Sequence, residues 1–566
     1  MNADSRSAGQ HLTGKYCGRS VAILLAAHVI LLLPLSSQAA DVASAARSGD
    51  IDEVRSLLRQ GSAVNEPERD GSTAVLWAAW HSDLELLETL VVAGADVNTA
   101  NNLGVSPLLH VARVGDAAFV RALVEAGADP AAATLNGETV LMAAARAGSV
   151  DAVNYLLELG SDPNAVEDYQ GQTALMWAAA EGHAGVVSQL LAAGADPDVQ
   201  ARISELTERS MRTDFPTGGF TAAMWAAREG HEDVLRVLVD NNANIDLLNG
   251  DGASALSIAI VNDRFDLAAA LVELGANPDD GSLFRAVEMR DAPTDWRAKD
   301  GSRLRVNYLN ELSALDLMRV LLEAGADPNK PFSGQNHSAS MCCDTTASGT
   351  PFSRTASAAD VEGLKLMVEF GADVEWMPEP SAGGGRGGGG SPFGGGGGSR
   401  TPLQSAMNGG GGIGMAGGPG DIREGSEVPF REVANRNPAD AMAVLLAAGA
   451  DPNREMSNGS TLLHDAAQDR DLDIVEVLAQ HGAQLDALNR DGLTALDVAE
   501  GRRAEGGGGG GRRGGGPPFG GGFFGGAQAD DNRPTQEQVA ARLRELMGEA
   551  GVPIVEHGVA SGGDTD

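Results

Sequence analysis

The sequence predicts an all-α solenoid of about twelve stacked helix-turn-helix units, with flexible glycine-rich loops set into its second half. Three observations predict it. The triplets Gly71-Ser72-Thr73, Gly104-Val105-Ser106, Gly137-Glu138-Thr139 and Gly171-Gln172-Thr173 recur at spacings of 33, 33 and 34 residues, a period that marks a repeat architecture. Each triplet opens the same order of segments: a short alanine-rich run such as Ala174–Ala179, then an apolar run ending in paired leucines and glycine, as at Leu190–Gly194. The composition, 43% hydrophobic with 75 glycines and only 4% aromatics, suits such an array better than an enzyme built on one large core.

Each element has a local cause. Thr or Ser at the end of the triplet caps the first helix, and proline at the next position (Pro107, Pro351, Pro402) is tolerated in its first turn. Small alanines allow neighbouring helices to approach closely. Gly94, Gly127, Gly160, Gly194, Gly275, Gly325, Gly371 and Gly449 follow the second run and supply a left-handed helix stop. Asp96, Asp129, Asp162, Asp196, Asp327, Asp373 and Asp451 recur just after it, where a periodic carboxylate belongs to turn chemistry rather than to a catalytic pair. After Pro197 the array resumes at Thr221 and again at Ser254, and weaker units follow at 283–329, 350–374, 401–453, 461–486 and from 494 onward. The opening unit, 41–65, is expected to keep only its Ser-Gly-Asp turn and the Ser56-Leu57-Leu58 helix.

These motifs, repeated in one order at one period, resemble the ankyrin-repeat family over nearly all of residues 41 to about 550. The resemblance implies a binding scaffold without cofactor. In this family a protein partner lies in a concave groove formed by turn tips and first helices. The groove-facing column then reads Trp77, His110, Ala143, Trp177, Trp225, Ile258, Arg285, Arg354, Ser405, Asp465 and Val498. Trp77, His110, Trp177, Trp225, Ile258 and Arg354 are the expected partner contacts, because buried Trp and Arg anchors dominate interface energies at about 2 kcal/mol or more each. The tryptophans have a second reading, as packing between neighbouring first helices. The resemblance also gives His183, His231 and His464 structural roles.

Residues 41–280 are expected to hold the N-terminal repeats and 281–550 the C-terminal ones, followed by a disordered tail at 551–566. Segments 199–216, 288–312, 330–348, 377–400, 408–437 and 501–534 depart from the pattern. Their glycine runs cannot bury enough apolar surface to order themselves. Arg386, Arg512 and Arg513 within such runs are similar to RNA-binding Arg-Gly segments, but a net charge of −37 repels nucleic acid and anionic membranes and favours basic or neutral partners.

Lys15 and Arg19 precede an apolar run, Val21–Leu35, and the small residues Ser36–Ala40, the order of a secretory signal peptide cleaved after Ala39 or Ala40. The run is short for a bilayer, which needs about 20 residues, so the mature chain is expected to be exported, periplasmic or secreted, and monomeric, with an uncleaved anchor as the alternative. Arginine outnumbers lysine 37 to 4, the bias of a GC-rich bacterial genome. Cys17 would be lost with the signal segment, leaving Cys342 and Cys343, which cannot form a disulfide framework. With His337 and Asp344 they are metal-ligand types at no standard spacing, and an ordinary exposed loop, ahead of a vicinal disulfide, is the reading preferred to a metal site. No phosphate loop, nucleophile turn or metal motif stands out. The class expected is therefore a protein-binding scaffold and not an enzyme, with an envelope spacer, or an enzyme accessory using the 330–348 insertion, as rivals.

Overall fold

The computed structural model describes residues 41–204, 217–291, 310–332, 349–377, 400–407, 409, 435–456, 459–502 and 533–555. Among them 24 helices pair two by two along the chain. The first five pairs are α1 (Val42–Arg47) with α2 (Ile51–Arg59), α3 (Ala74–Trp80) with α4 (Leu84–Val92), α5 (Pro107–Val114) with α6 (Ala117–Glu125), α7 (Val140–Arg146) with α8 (Val150–Glu158), and α9 (Ala174–Ala180) with α10 (Ala184–Ala192). After a short ribbon of β1 (Ile203–Ser204) and β2 (Thr217–Gly218) come α11 (Ala222–Glu229) with α12 (Glu232–Asp240) and α13 (Ala255–Val261) with α14 (Phe265–Glu273). Then follow α15 (Ser282–Asp291) with α16 (Ala314–Glu323), α17 (Pro351–Ser357) with α18 (Val361–Glu369), and α19 (Pro402–Met407) with α20 (Pro438–Ala447). The last pairs are α21 (Leu462–Asp469) with α22 (Leu472–Gln480) and α23 (Ala495–Ala499) with α24 (Gln536–Ala550).

The first helix of each pair packs on the first helix of the next from α1 to α19, and the second helices do the same from α6 to α22. The result is an all-α solenoid with one continuous core, in which alanines such as Ala78, Ala144, Ala178 and Ala226 are fully buried. Second helices contribute leucines and valines at helical spacing, as Leu86, Leu87 and Leu90 do, so that one stripe faces inward. The caps arise as the residue types dictate: Thr73, Ser106, Thr139, Thr173, Thr221 and Ser254 each accept the backbone N–H three residues on.

The turns are equally regular. Asp96, Asp129, Asp162, Asp196, Asp327, Asp373 and Asp451 all accept the N–H two residues on, at 2.8–2.9 Å. One more residue type ties the turns of successive pairs together. Asn98 Nδ2 donates to the Gly127 carbonyl and its Oδ1 accepts from Asp129 N, at 3.0 and 2.8 Å. Asn65, Asn164, Asn329 and Asn453 make the same double bridge.

Several expectations need correction. The opening unit has both helices: Asp41 accepts from Ser44 N at 2.6 Å, doing for α1 what Thr does elsewhere, and Val42, Ala43, Ala45 and Ala46 are buried beneath it. The departure placed at 288–312 begins only after Asp291, because α15 continues through Glu288 and Arg290, whose buried charges find partners in Arg354 and Asp360. The chain returns by 310, where Asn310 Oδ1 accepts from Phe265 N and Asp266 accepts from Glu311 N. Phe332, placed in the 330–348 insertion, is 8% exposed and stacks on Phe284 at 4.4 Å. Residues 203–204, inside the 199–216 departure, pair as an antiparallel strand with 217–218 just beyond it, Ile203 opposite Gly218. At the C-terminus, Val552 packs against the core and its N–H donates to the Met547 carbonyl. The signal segment, the glycine runs, and residues 556–566 lie outside the described residues.

Candidate partner-binding groove

The cap fixes where the column points. In α3, α9 and α11 the residue four places beyond the capping threonine is Trp77, Trp177 or Trp225, followed each time by two buried alanines. Each tryptophan is half-buried, packed in part against the core and in part open. Their polar atoms differ. Trp177 Nε1 donates to Gln172 Oε1 at 2.9 Å, whereas the Trp77 and Trp225 indole N–H groups are buried without an acceptor among the described residues.

His110 is half-buried in α5, and its imidazole lies flat on Trp80, with ring centres 5.0 Å apart and planes 17° apart. Trp80 in turn meets the edge of Trp77 at 6.2 Å. Burial, and then the neighbouring Arg113, push the His110 pKa below its ordinary value. Ile258, expected as a contact, is only 4% exposed; the core takes it, and it offers a partner almost no surface. Arg354 is half-buried and paired with Glu288. Arg285 is 4% exposed, donates to Ser257 Oγ at 2.7 Å and lies over the Phe332 ring.

A second row went unread in the sequence. Residues three places beyond the column share its helix face, and there stand Trp80, Arg113, Arg146, Ala180 and Arg228; Arg47, the last residue of α1, closes its helix as Trp80, Arg146 and Ala180 close theirs. Trp80 is 62% exposed. Arg47 lies over Trp77 at 5.9 Å, Arg146 over Trp177 at 5.5 Å and Arg228 over Trp225 at 4.1 Å, distances within reach of cation–π attraction. Each guanidinium also has a carboxylate: Glu68 at 3.3 Å, Glu138, Glu181 at 3.3 Å and Glu229 at 2.7 Å. The signal that would have found this row is the i, i+3 relation to the tryptophans. On successive turn tips, Leu103, Leu135 and Tyr169 are strongly exposed, apolar groups without cover.

The remaining histidines hold pairs together. Nε2–H of His81, His183 and His231 donates to the carbonyl of Arg47, Arg146 and Ala180, at 2.9, 3.1 and 3.1 Å. Gly148 and Gly182 underlie the rings of His183 and His231 in left-handed conformation, and a Cβ on either would fall 2.6 Å from an imidazole atom, which is why glycine stands in the turn of the pair before each of these histidines. His464 Nδ1 accepts from Thr461 N, and its Nε2–H donates to the Leu493 carbonyl at 3.0 Å.

His337, Cys342, Cys343 and Asp344 lie outside the described residues. Among the described residues no group of three or more His, Cys, Asp or Glu side chains is arranged to hold a metal ion, and no helix is long and apolar enough to cross a membrane. A family model for ankyrin repeats in three copies matches residues 42–134, 108–201 and 204–281, and one for ankyrin repeats in many copies matches 435–499. Together they span more than half of the chain. A search of curated proteins finds no match.

Proposed function

The chain belongs to the ankyrin-repeat family, and from that premise we propose that it is a scaffold that binds one protein partner in the groove floored by α3, α5, α7, α9 and α11. Ankyrin repeats generally mediate protein–protein interaction, and ankyrin-repeat proteins are typically not enzymes. The observation that carries the reading is the half-buried Trp77, Trp177 and Trp225 with the guanidiniums of Arg47, Arg146 and Arg228 held over their rings, the residue types that anchor interfaces. Trp77, Trp177, Trp225, His110 and the exposed Trp80 are the contacts; Arg354 extends them toward the second half. Leu103, Leu135 and Tyr169 form the wall on the turn-tip side. The partner is met outside the cytoplasm, in the periplasm or beyond, a placement supported by the charged, apolar and small-residue order of residues 15–40.

Affinity capture from the native envelope fraction tests this, with the full chain as bait beside a Trp80→Ala variant and a Trp77→Ala/Trp177→Ala/Trp225→Ala variant. Circular dichroism must show all three folded. One protein recovered by the first bait and lost by both variants supports the groove; equal recovery by all three removes it. N-terminal sequencing of the exported protein checks cleavage after Ala39 or Ala40.

A further inference from the structure

Resting on the reading that the concave face is the docking surface, we infer that its occupant is an extended acidic segment, carrying carboxylates interspersed with aromatic or large apolar side chains. The net charge of −37 argues for the opposite partner, so the case must be made from local chemistry.

The floor is rich in donors. Of Arg47 and the five residues of the second row, four are arginines, and in all four ion pairs the carboxylate is the more buried member, most clearly where Glu68 is 15% exposed against 57% for Arg47 and Glu138 17% against 41% for Arg113. Those pairs turn the guanidinium outward and keep the acid beneath it. Arg146 is 63% exposed and meets Glu181 through Nε alone, at 3.3 Å. Its two terminal amino groups have no acceptor among the described residues, and neither does most of the Arg47 guanidinium, engaged through one terminal nitrogen.

A guanidinium held on one edge by a carboxylate and lying over an indole is oriented before binding, so little side-chain entropy remains to be lost. Its open edge matches the two oxygens of a carboxylate. Between these cations stand the apolar surfaces: Trp80 on the floor, and Leu103, Leu135 and Tyr169, at 79%, 85% and 77% exposure, on the tips. Such a surface matches acceptors interleaved with apolar groups. A basic segment would bring more donors to a floor of donors and find its acids already engaged.

The pairs with Glu neutralise the floor, so the preference acts at contact and not at long range. That gives it a salt signature opposite to that of the whole chain. An acidic ligand is repelled at a distance by the net charge, and salt screens this repulsion more than it weakens a contact pair.

The test measures binding of two labelled random copolymers, poly(Glu,Tyr) and poly(Lys,Tyr), to the full chain by fluorescence anisotropy at low and physiological salt. The expected result is saturable binding of poly(Glu,Tyr) that holds or improves as salt is raised, while poly(Lys,Tyr) binds weakly and is lost to salt. Arg113→Gln/Arg146→Gln should weaken poly(Glu,Tyr) by about tenfold or more, the equivalent of one good charge-assisted contact, and leave poly(Lys,Tyr) unchanged. Both substituted residues are well exposed and should not unfold the chain, which the thermal transition verifies. No saturable binding of the acidic copolymer, or equal salt-resistant binding of both, overturns the acidic preference. If Trp80→Ala then still weakens whatever binds, the groove stands with another occupant; if Trp80→Ala changes nothing, the groove reading falls as well.

Discussion

The first seven pairs and the region from α15 to α20 use the same frame with opposite interiors. From α3 to α13 the first helices bury alanines and half-bury tryptophans, and their ion pairs sit toward solvent. From α15 onward the equivalent space holds charge. Arg285 is 4% exposed, and Arg290 and Asp360 form a two-pronged pair at 2.5 and 3.1 Å with side chains 4% and 5% exposed. Glu288 meets Arg354, and Arg436 donates to the Arg290 carbonyl at 2.9 Å. Burial pulls the Arg285 and Arg436 guanidiniums below their ordinary pKa.

The difference follows the connections. In the first region, apart from the departure at 199–216, short turns deliver each helix to its neighbour, so nonspecific apolar packing finds the right partner. In the second, Arg290 and Asp360 are 70 residues apart and Arg436 lies 146 from Arg290, with long insertions between. Apolar faces alone would not specify which helix follows which across such loops. A buried ion pair is weak evidence of net stability, but it penalises every misplaced arrangement by leaving a charge unpaired. On this argument the second half gives up stability for register.

The largest expected effect breaks that contrast directly. Arg290→Met leaves the Asp360 carboxylate buried without its cation and should cost about 3–5 kcal/mol, read by denaturant unfolding with hydrogen exchange loss confined to α15–α20. Arg290→Met/Asp360→Asn removes both charges, while asparagine still serves as the cap that Asp360 provides to Gly363 N; it should recover most of the loss. The same treatment of the exposed Arg146–Glu181 pair should move stability by under about 1 kcal/mol. If the two regions respond alike, the comparison fails.

A pH experiment sharpens it next. His464, 3% exposed in α21, has its pKa lowered by burial, against weaker opposing effects from Leu493, Ala487 and Asp497. Protonation would place a hydrogen on Nδ1, where Thr461 N already donates. The folded pKa lies below the unfolded value of 6.5, so the stabilising contribution is full above pH 6.5 and is lost as pH falls below it. Stability should fall with pH in that window, with a slope bounded by the one-proton limit of about 1.4 kcal/mol per pH unit. His464→Gln should flatten it, as urea titrations between neutral and mildly acid pH would show; an unchanged slope would assign the acid lability to other groups.

Within the first region the tryptophans offer a matched pair. Trp77→Phe removes a buried N–H without an acceptor, and Trp177→Phe breaks its bond to Gln172. Both lose similar ring volume, so their difference isolates the polar term. Trp77→Phe should be the more stable of the two by about 1–2 kcal/mol. Equal midpoints in thermal unfolding would mean that water satisfies Trp77.

What was legible in the sequence was local. Thr caps, left-handed glycines and turn aspartates act over two to four residues, and each appears where its residue type placed it. The Asp41 cap was missed because the opening unit substitutes Asp for Thr and begins next to an apolar leader. The Arg row was missed because the column was read once and not again three residues on. The Arg290–Asp360 pair had no signal at all: its partners are brought together by packing of the intervening helices, and no spacing announces it.

The smallest effect concerns the turn bridges, a device both regions share. Asn65, Asn98, Asn164, Asn329 and Asn453 each tie their turn to the next, but the corresponding place after Asp129 is Ala131, which has no group to reach the Gly160 carbonyl or the Asp162 N–H. Ala131→Asn should restore that rung and stabilise the array by about 0.5–1 kcal/mol, with Asn98→Ala costing a similar amount, both read as shifts in thermal midpoint. Because neighbours in a solenoid unfold as coupled units, a rung added between the third and fourth pairs should raise protection in both. A gain confined to the turn itself would show that the bridges set local geometry and carry no coupling from pair to pair.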